Sequence, residues 1–126
     1  MRIYLDNAAT TPLDPEVFEA IKPFMLEDFG NPPSTHAHGR KVRAAIESAR
    51  KKVAELLNCT PGEIIFTSGG TEADNAIIRS AVSTYDIKTI ISSPIEHHAV
   101  THTIENVCRR KGVNLLMVNL DSAGHI

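Results

Sequence analysis

The sequence predicts an α/β fold: a mainly parallel sheet with flanking helices. Two observations carry this. Short apolar, β-branched runs alternate with longer segments of helical periodicity, and the turn-forming residues fall between them. Strands spaced by helices in this way are joined by right-handed crossovers, and such sheets take ligands at the carboxyl ends of their strands.

Asp14-Pro15-Glu16 reads as a helix start. Asp14 can accept the orphan amides, Pro15 is preset for the first helical position, and Glu16 suits the positive end of the dipole. Pro23 removes a backbone donor, so a kink or break is expected before "MLEDFG". After the turn-rich "FGNPPSTHAHGRK", Val42, Ile46, Ala49, Val53 and Leu56 draw one apolar stripe on a long helix. Arg43, Glu47 and Lys51 lie on another face as potential i,i+4 pairs. Thr60-Pro61-Gly62-Glu63 has the spacing of a capping box on a single turn.

"EIIFTS" then reads as a strand, "TEADNAIIRSAV" as a helix, "KTIISS" as a strand, "HAVTHTIENVCRRKG" as a helix and "VNLLMVNL" as a third strand. Arg109-Arg110-Lys111 suits the negative end of its helix, and Gly112 is placed as the cap. An exposed helix terminus explains that basic run without a binding role.

The length, 126 residues, suits one compact domain or a piece of one. Thirteen Lys+Arg against fifteen Asp+Glu, with no basic stripe, argue against nucleic acid as a partner. The apolar runs are too short for a signal peptide or a membrane span, and a cytoplasmic location is expected. Cys59 and Cys108 are far apart, with no CxxC spacing, and read as reduced structural residues.

Chemistry concentrates at two places. Ser68-Gly69-Gly70-Thr71 lies where a strand hands over to a helix; small residues there let a ligand approach unpaired amides, a geometry that suits phosphate. A plain tight turn capped by Ser68 or Thr71 explains the same residues without a ligand. The stretch has neither the GxxxxGK[ST] lysine nor GxGxxG, so a single phosphate ester fits better than a nucleoside triphosphate. The second place is histidine-rich. His36 and His38 flank the Asn-Pro-Pro turn, and His97, His98 and His102 follow a strand. His98 and His102 are one helical turn apart, but no carboxylate or cysteine completes a metal-ligand set, and no metal is expected.

Four segments taken together, "YLDNAATTPLDPEV" at 4–17, "FGNPPSTHAHGR" at 29–40, "IIFTSGGTEADNAI" at 64–77 and "SSPIEHHAV" at 92–100, resemble in order and spacing the N-terminal part of cysteine desulfurases. These are class V, fold-type I enzymes that use pyridoxal 5'-phosphate. The resemblance implies the first part of the cofactor-binding large domain at 31–126, and at 1–30 a segment serving the small domain and the active-site entrance. It implies that Gly70 and Thr71 hold the cofactor phosphate and that His97 stacks on the pyridine ring and assists proton transfer. Asn7, Ala8, Thr10, Asn31 and His36 match segments that in the family approach the active site or the partner subunit. Asn31 is equally explained as a turn residue before Pro32, and His36 as a side chain packed at the start of the long helix.

The implied reaction converts L-cysteine to L-alanine and leaves the sulfur on an enzyme cysteine as a persulfide, for iron–sulfur cluster assembly or thiolation. The implied partners are a second copy of the complete enzyme, as a homodimer, and a sulfur-acceptor scaffold protein. The sequence departs from the family in one respect. The Schiff-base lysine of an S-x-H-K motif, the aspartate for the pyridinium nitrogen and the sulfur-acceptor cysteine are absent. Lys22, Lys41, Lys51, Lys52, Lys88 and Lys111 lack that motif, and Cys59 and Cys108 lack neighbours that would generate a thiolate. The chain alone is therefore expected to be inactive, needing the remainder of the enzyme or a complementary polypeptide, with part of its sheet uncovered. The alternatives are a selenocysteine lyase or other class V enzyme, and a truncated, non-catalytic binding or assembly partner.

Overall fold

The computed structural model describes residues 2–126, which divide into two compact units, one ending at Ile65 and the other spanning Phe66–Ile126. In the first unit, a tight turn at 7–9 is closed by the Ala9 and Thr10 amides, which donate to the Asp6 carbonyl at 3.1 and 3.3 Å. Helix α1 (Pro15–Leu26) begins as its sequence requires: Asp14 Oδ1 accepts from the Glu16 and Val17 amides at 2.7 and 3.4 Å.

The expected break at Pro23 does not occur. A proline removes its own donor and crowds the carbonyl four residues back, but with Pro23 only three residues from the end of the helix the cost is confined to its last turn. The Pro23 carbonyl itself accepts from the Glu27 and Asp28 amides at 2.9 and 2.8 Å.

Helix α2 (Ala37–Leu57) is capped by His36, whose Nδ1 accepts from the Gly39 amide at 3.3 Å. Loop 30–34 lies directly on its first turn: a Cβ on Gly30 would sit 2.5 Å from the His38 carbonyl, and one on Gly39 would sit 2.5 Å from the Asn31 carbonyl oxygen. Only glycine permits this approach. The expected apolar stripe holds at Val42, Ile46 and Val53, which are half-buried, but Ala49 is exposed and Leu56 is 86% exposed. Ala54, at 1%, is the deepest residue.

The shift has a cause in the chain's return path. The capped 3₁₀ turn Pro61–Glu63 folds back on the Arg50–Ala54 side, with Arg50 Nη1 donating to the Ile64 carbonyl and the Cys59 amide to Ala54 at 3.0 Å. The expected Arg43–Glu47–Lys51 pairs are likewise replaced. Arg43 Nε donates to the Pro32 carbonyl at 2.9 Å, and Glu47 pairs with Arg50 at 3.3 Å.

The second unit is a βαβ crossover with one more helix packed on it. Helix α3 (Gly70–Tyr85) packs on α4 (His98–Lys111), which connects the parallel strands β1 (Thr89–Ser92) and β2 (Asn114–Met117). Val82, Val107 and Val113 form the core, with Ile78, Ile87, Ile90 and Cys108 packed against it. Gly112, at φ 67°, ends α4 as expected, donating to the Cys108 carbonyl at 2.9 Å.

Three strands were expected, and two form among the described residues. Residues 64–67 leave the 3₁₀ turn with Ile64 extended (φ −94°, ψ 121°), yet the sheet among the described residues consists of β1 and β2 and does not include them. Extended backbone becomes a strand only where another chain edge supplies the hydrogen bonds. The β1–β2 sheet also has one uncovered face. The register partners Ile91 and Leu116 are 68% and 51% exposed, whereas strands of a parallel sheet are ordinarily apolar because both faces are covered.

Candidate functional site

The glycine turn and the histidine cluster meet in the second unit. Thr71, at the start of α3, and His97, at the start of α4, line one open cleft of about 420 Å³ with Asn75, Arg79, His98, His102 and Asn106. Its shape follows from the fold: two packed helices begin side by side, so their first turns form its walls.

The start of α3 has no side-chain cap. Gly69 is the N-cap residue and offers no acceptor, so neither Ser68 nor Thr71 caps the helix in the way a plain turn would require. A Cβ on Gly69 or Gly70 would meet nothing within 4 Å, which leaves the first amides of the helix open to an approaching group. Glu72 turns back, accepting from the Ser68 amide at 2.6 Å and the Ser68 hydroxyl at 2.7 Å. Those bonds, the amide first, hold its carboxyl below its ordinary pKa.

His97 caps α4, its Nδ1 accepting from the Ala99 amide at 3.1 Å. An accepting Nδ1 leaves the hydrogen on Nε2 and fixes the plane of the ring. His98 and His102 stack at 5.3 Å between centroids, and His97 lies 6.2 Å from His98. Among the described residues no three His, Cys, Asp or Glu side chains gather in a metal-binding group.

Below the mouth of the cleft runs a chain of hydrogen bonds that sequence reasoning missed. Asn75 Nδ2 donates to the Thr71 carbonyl at 2.9 Å, Arg79 Nε to Asn75 Oδ1 at 3.2 Å, and Arg79 Nη1 to Asn106 Oδ1 at 3.3 Å. Thr71, Asn75 and Arg79 are four residues apart and so share one helix face, a signal present in the sequence. Asn106 belongs to the neighbouring helix and gave no such signal.

The other expected site residues belong to the first unit. Asn7, Ala8 and Thr10 form or border the 7–9 turn, with Thr10 Oγ1 2.5 Å from the Tyr4 hydroxyl. The Asn31 carbonyl accepts from the Ser34 amide at 3.0 Å, as a turn residue does, and His36 caps α2. Gly70 precedes Thr71 at the cleft edge; Lys22, Lys41, Lys51 and Lys52 belong to the first unit, and Lys88 and Lys111, in the second, do not line the cleft.

Comparison with known proteins decides the family. Residues 3–126 match the family described as Aminotransferase class-V. The chain belongs to that family. It is 48% identical to the cysteine desulfurase IscS of Dictyoglomus turgidum over 130 residues, covering 98% of this chain and 32% of that protein. It is 44% identical to the putative cysteine desulfurase IscS 1 of Bacillus subtilis over 127 residues, covering 99% and 33%.

Among solved structures, a NifS-like protein aligns with a TM-score of 0.88 at 42% identity, over 97% of this chain and 34% of that one. A structure described as SspA in complex with cysteine aligns with a TM-score of 0.83 at 31% identity, over 94% and 35%. The chain thus spans about a third of the length of the relatives it matches. The expected fold, part of a fold-type I large domain, and the resemblance to cysteine desulfurases are both borne out.

The cofactor implied for this family is pyridoxal 5'-phosphate, and the cleft has features that suit it. Open amides and the Thr71 hydroxyl provide donors for a phosphate, and a ring fixed in plane by its own cap stands across the same cleft.

Proposed function

We propose that this chain is the N-terminal portion of a pyridoxal-phosphate-dependent cysteine desulfurase and carries half of its cofactor site. The observation that carries the reading is the convergence of Thr71 and His97 on one cleft in a chain of this family. The Gly70 and Thr71 amides and the Thr71 hydroxyl would hold the cofactor phosphate, and His97, its ring oriented by the Ala99 amide on Nδ1, would face the cofactor ring with Nε2 available for proton transfer.

When bound, the cofactor supplies an electron sink for cleavage of the substrate carbon–sulfur bond. The overall reaction turns L-cysteine and an enzyme thiol into L-alanine and an enzyme persulfide, with sulfur passing onward to an acceptor scaffold protein. L-cysteine as substrate is supported by the neighbour described in complex with cysteine. Residues 31–126 begin the large domain, and 1–30 serve the small domain and the entrance. Asn7, Ala8, Thr10, Asn31 and His36 approach the site in the complete homodimer, which works in the cytoplasm.

The 126-residue chain by itself binds the cofactor without a covalent bond and does not turn over cysteine. The second unit's own lysines, Lys88 and Lys111, do not line the cleft, and Lys22, Lys41 and Lys88 are paired with Glu19, Asp28 and Asp86. The test is an absorbance titration with pyridoxal phosphate, followed by borohydride reduction and intact-mass measurement. Reversible binding is expected, weakened about tenfold or more in Thr71→Val, which loses a hydrogen bond to a charged group. A reduced cofactor found on any lysine would sink the claim that the chain cannot attach it.

A further inference from the structure

We propose that Arg79 is a positioning residue for the cleft: it bridges α3 and α4 and fixes the separation of Thr71 from His97. The proposal rests on the cofactor reading above and adds to it Arg79 and Asn106, deeper in the lining of the same cleft.

Arg79 stands between the apolar core and the cleft mouth. Val82 and Val107 pack the helices toward their C-terminal ends, Ala99 and Thr103 are buried nearer the start of α4, and Thr71 and His97 stand at the opposite ends from Val82 and Val107, roughly 15 Å away along each axis. Arg79 spans the interval. Its Nε holds Asn75 Oδ1 at 3.2 Å and its Nη1 holds Asn106 Oδ1 at 3.3 Å, one acceptor on each helix. With Asn75 Oδ1 engaged, the Asn75 amide nitrogen is turned to the Thr71 carbonyl, 2.9 Å away. The guanidinium is therefore tied to Thr71 on one side and to α4, whose cap is His97, on the other.

A planar fork meets two acceptors in two directions, which a lysine ammonium on a flexible stem does not reproduce. Both partners are neutral amides, and among the described residues Arg79 has no carboxylate partner. An arginine selected for ion pairing would have one, so a geometric role fits the contacts better.

The test uses the full 126-residue chain and three variants, Arg79→Met, Arg79→Lys and Asn106→Ala. Inorganic phosphate and pyridoxal 5'-phosphate are titrated separately, with the Thr71 amide resonance as readout. The Arg79 Nε–H resonance, read without ligand, reports whether the bridge exists in solution. All three variants are expected to weaken pyridoxal phosphate about tenfold, a typical coupling between two contact points. Affinity for inorganic phosphate, which needs only the start of α3, is expected to stay within about twofold.

Asn106→Ala is decisive because it keeps the arginine charge. Parent-like pyridoxal phosphate binding in that variant would overturn the positioning role, as would an equal loss of inorganic phosphate in Arg79→Met, which would mark a charge effect. An unprotected Nε–H in the parent chain overturns the bridge alone. A protected Nε–H with no binding of pyridoxal phosphate by the parent chain overturns the cofactor reading, and the proposal with it.

Discussion

Replacing Gly39 by alanine tests the packing that joins the Asn-Pro-Pro loop to helix α2. The new Cβ would stand 2.5 Å from the Asn31 carbonyl oxygen, 2.6 Å from the Ser34 carbonyl oxygen and 2.9 Å from Ser34 Cβ. Favourable separations between heavy atoms begin near 3.5 Å, so backbone, which cannot rotate aside as a side chain would, must retreat by about 1 Å. Overpacking of this kind costs about 1–3 kcal/mol, and a clash with two carbonyls belongs at the upper end. Against it stands the gain from replacing a helical glycine, about 1 kcal/mol. The clash wins, leaving a net loss of about 2 kcal/mol. For a unit of this size that is a fall in melting midpoint of about 8 °C or more. The chain has no tryptophan, so far-ultraviolet circular dichroism is the suitable probe. Gly62→Ala is the control, because a Cβ there meets nothing within 4 Å and its effect is expected within about 0.5 kcal/mol. Equal midpoints for the two variants would refute the close approach.

Val107→Ala removes two methyl groups from the valine core of the second unit and is expected to cost roughly 2 kcal/mol in urea unfolding; a loss below about 0.5 kcal/mol would deny that α3 and α4 share this core. Glu72, whose pKa is lowered by the Ser68 amide and then the Ser68 hydroxyl, contributes stability that is complete above the ordinary carboxylate range. That contribution fades as pH falls through the lower folded-state value, so the Ser68 amide should lose exchange protection only at a pH below the ordinary carboxylate range. Glu72→Gln should abolish this step, and a step unchanged in that variant would place its origin elsewhere.

Most helices were legible because their signals are local. Asp14-Pro15-Glu16, the Thr60–Glu63 box and Gly112 each act within a few residues, and each forms the cap its spacing predicts. What failed to be legible depends on partners distant in the chain. "EIIFTS" has the composition of a strand, but strand formation needs a place beside another edge, and the sheet among the described residues is β1 and β2 without it. The stripe on α2 was read as uniform, whereas the returning 59–64 segment covers a different side of its last turns. Gly30 and Gly39 passed unnoticed within a motif read for chemistry, because their use is a contact between loop and helix that no spacing reveals.

The cleft divides in the same way. Thr71 and His97 were found through the motifs that contain them, and the structure adds that both line one cleft. His97 and His36 both act as helix caps, which follows from standing one residue before a helix. Arg79 could have been placed on the Thr71 face by its spacing, but its partner Asn106 became visible only once the two helices were packed together.

The central claim is that the start of α3 and the ring of His97 hold one ligand between them. A nuclear magnetic resonance titration of the chain with pyridoxal 5'-phosphate tests it most directly. The Gly70 and Thr71 amides and the His97 ring protons should shift together along one saturation curve. Shifts confined to one of the two helices, or to residues outside the cleft, would contradict it.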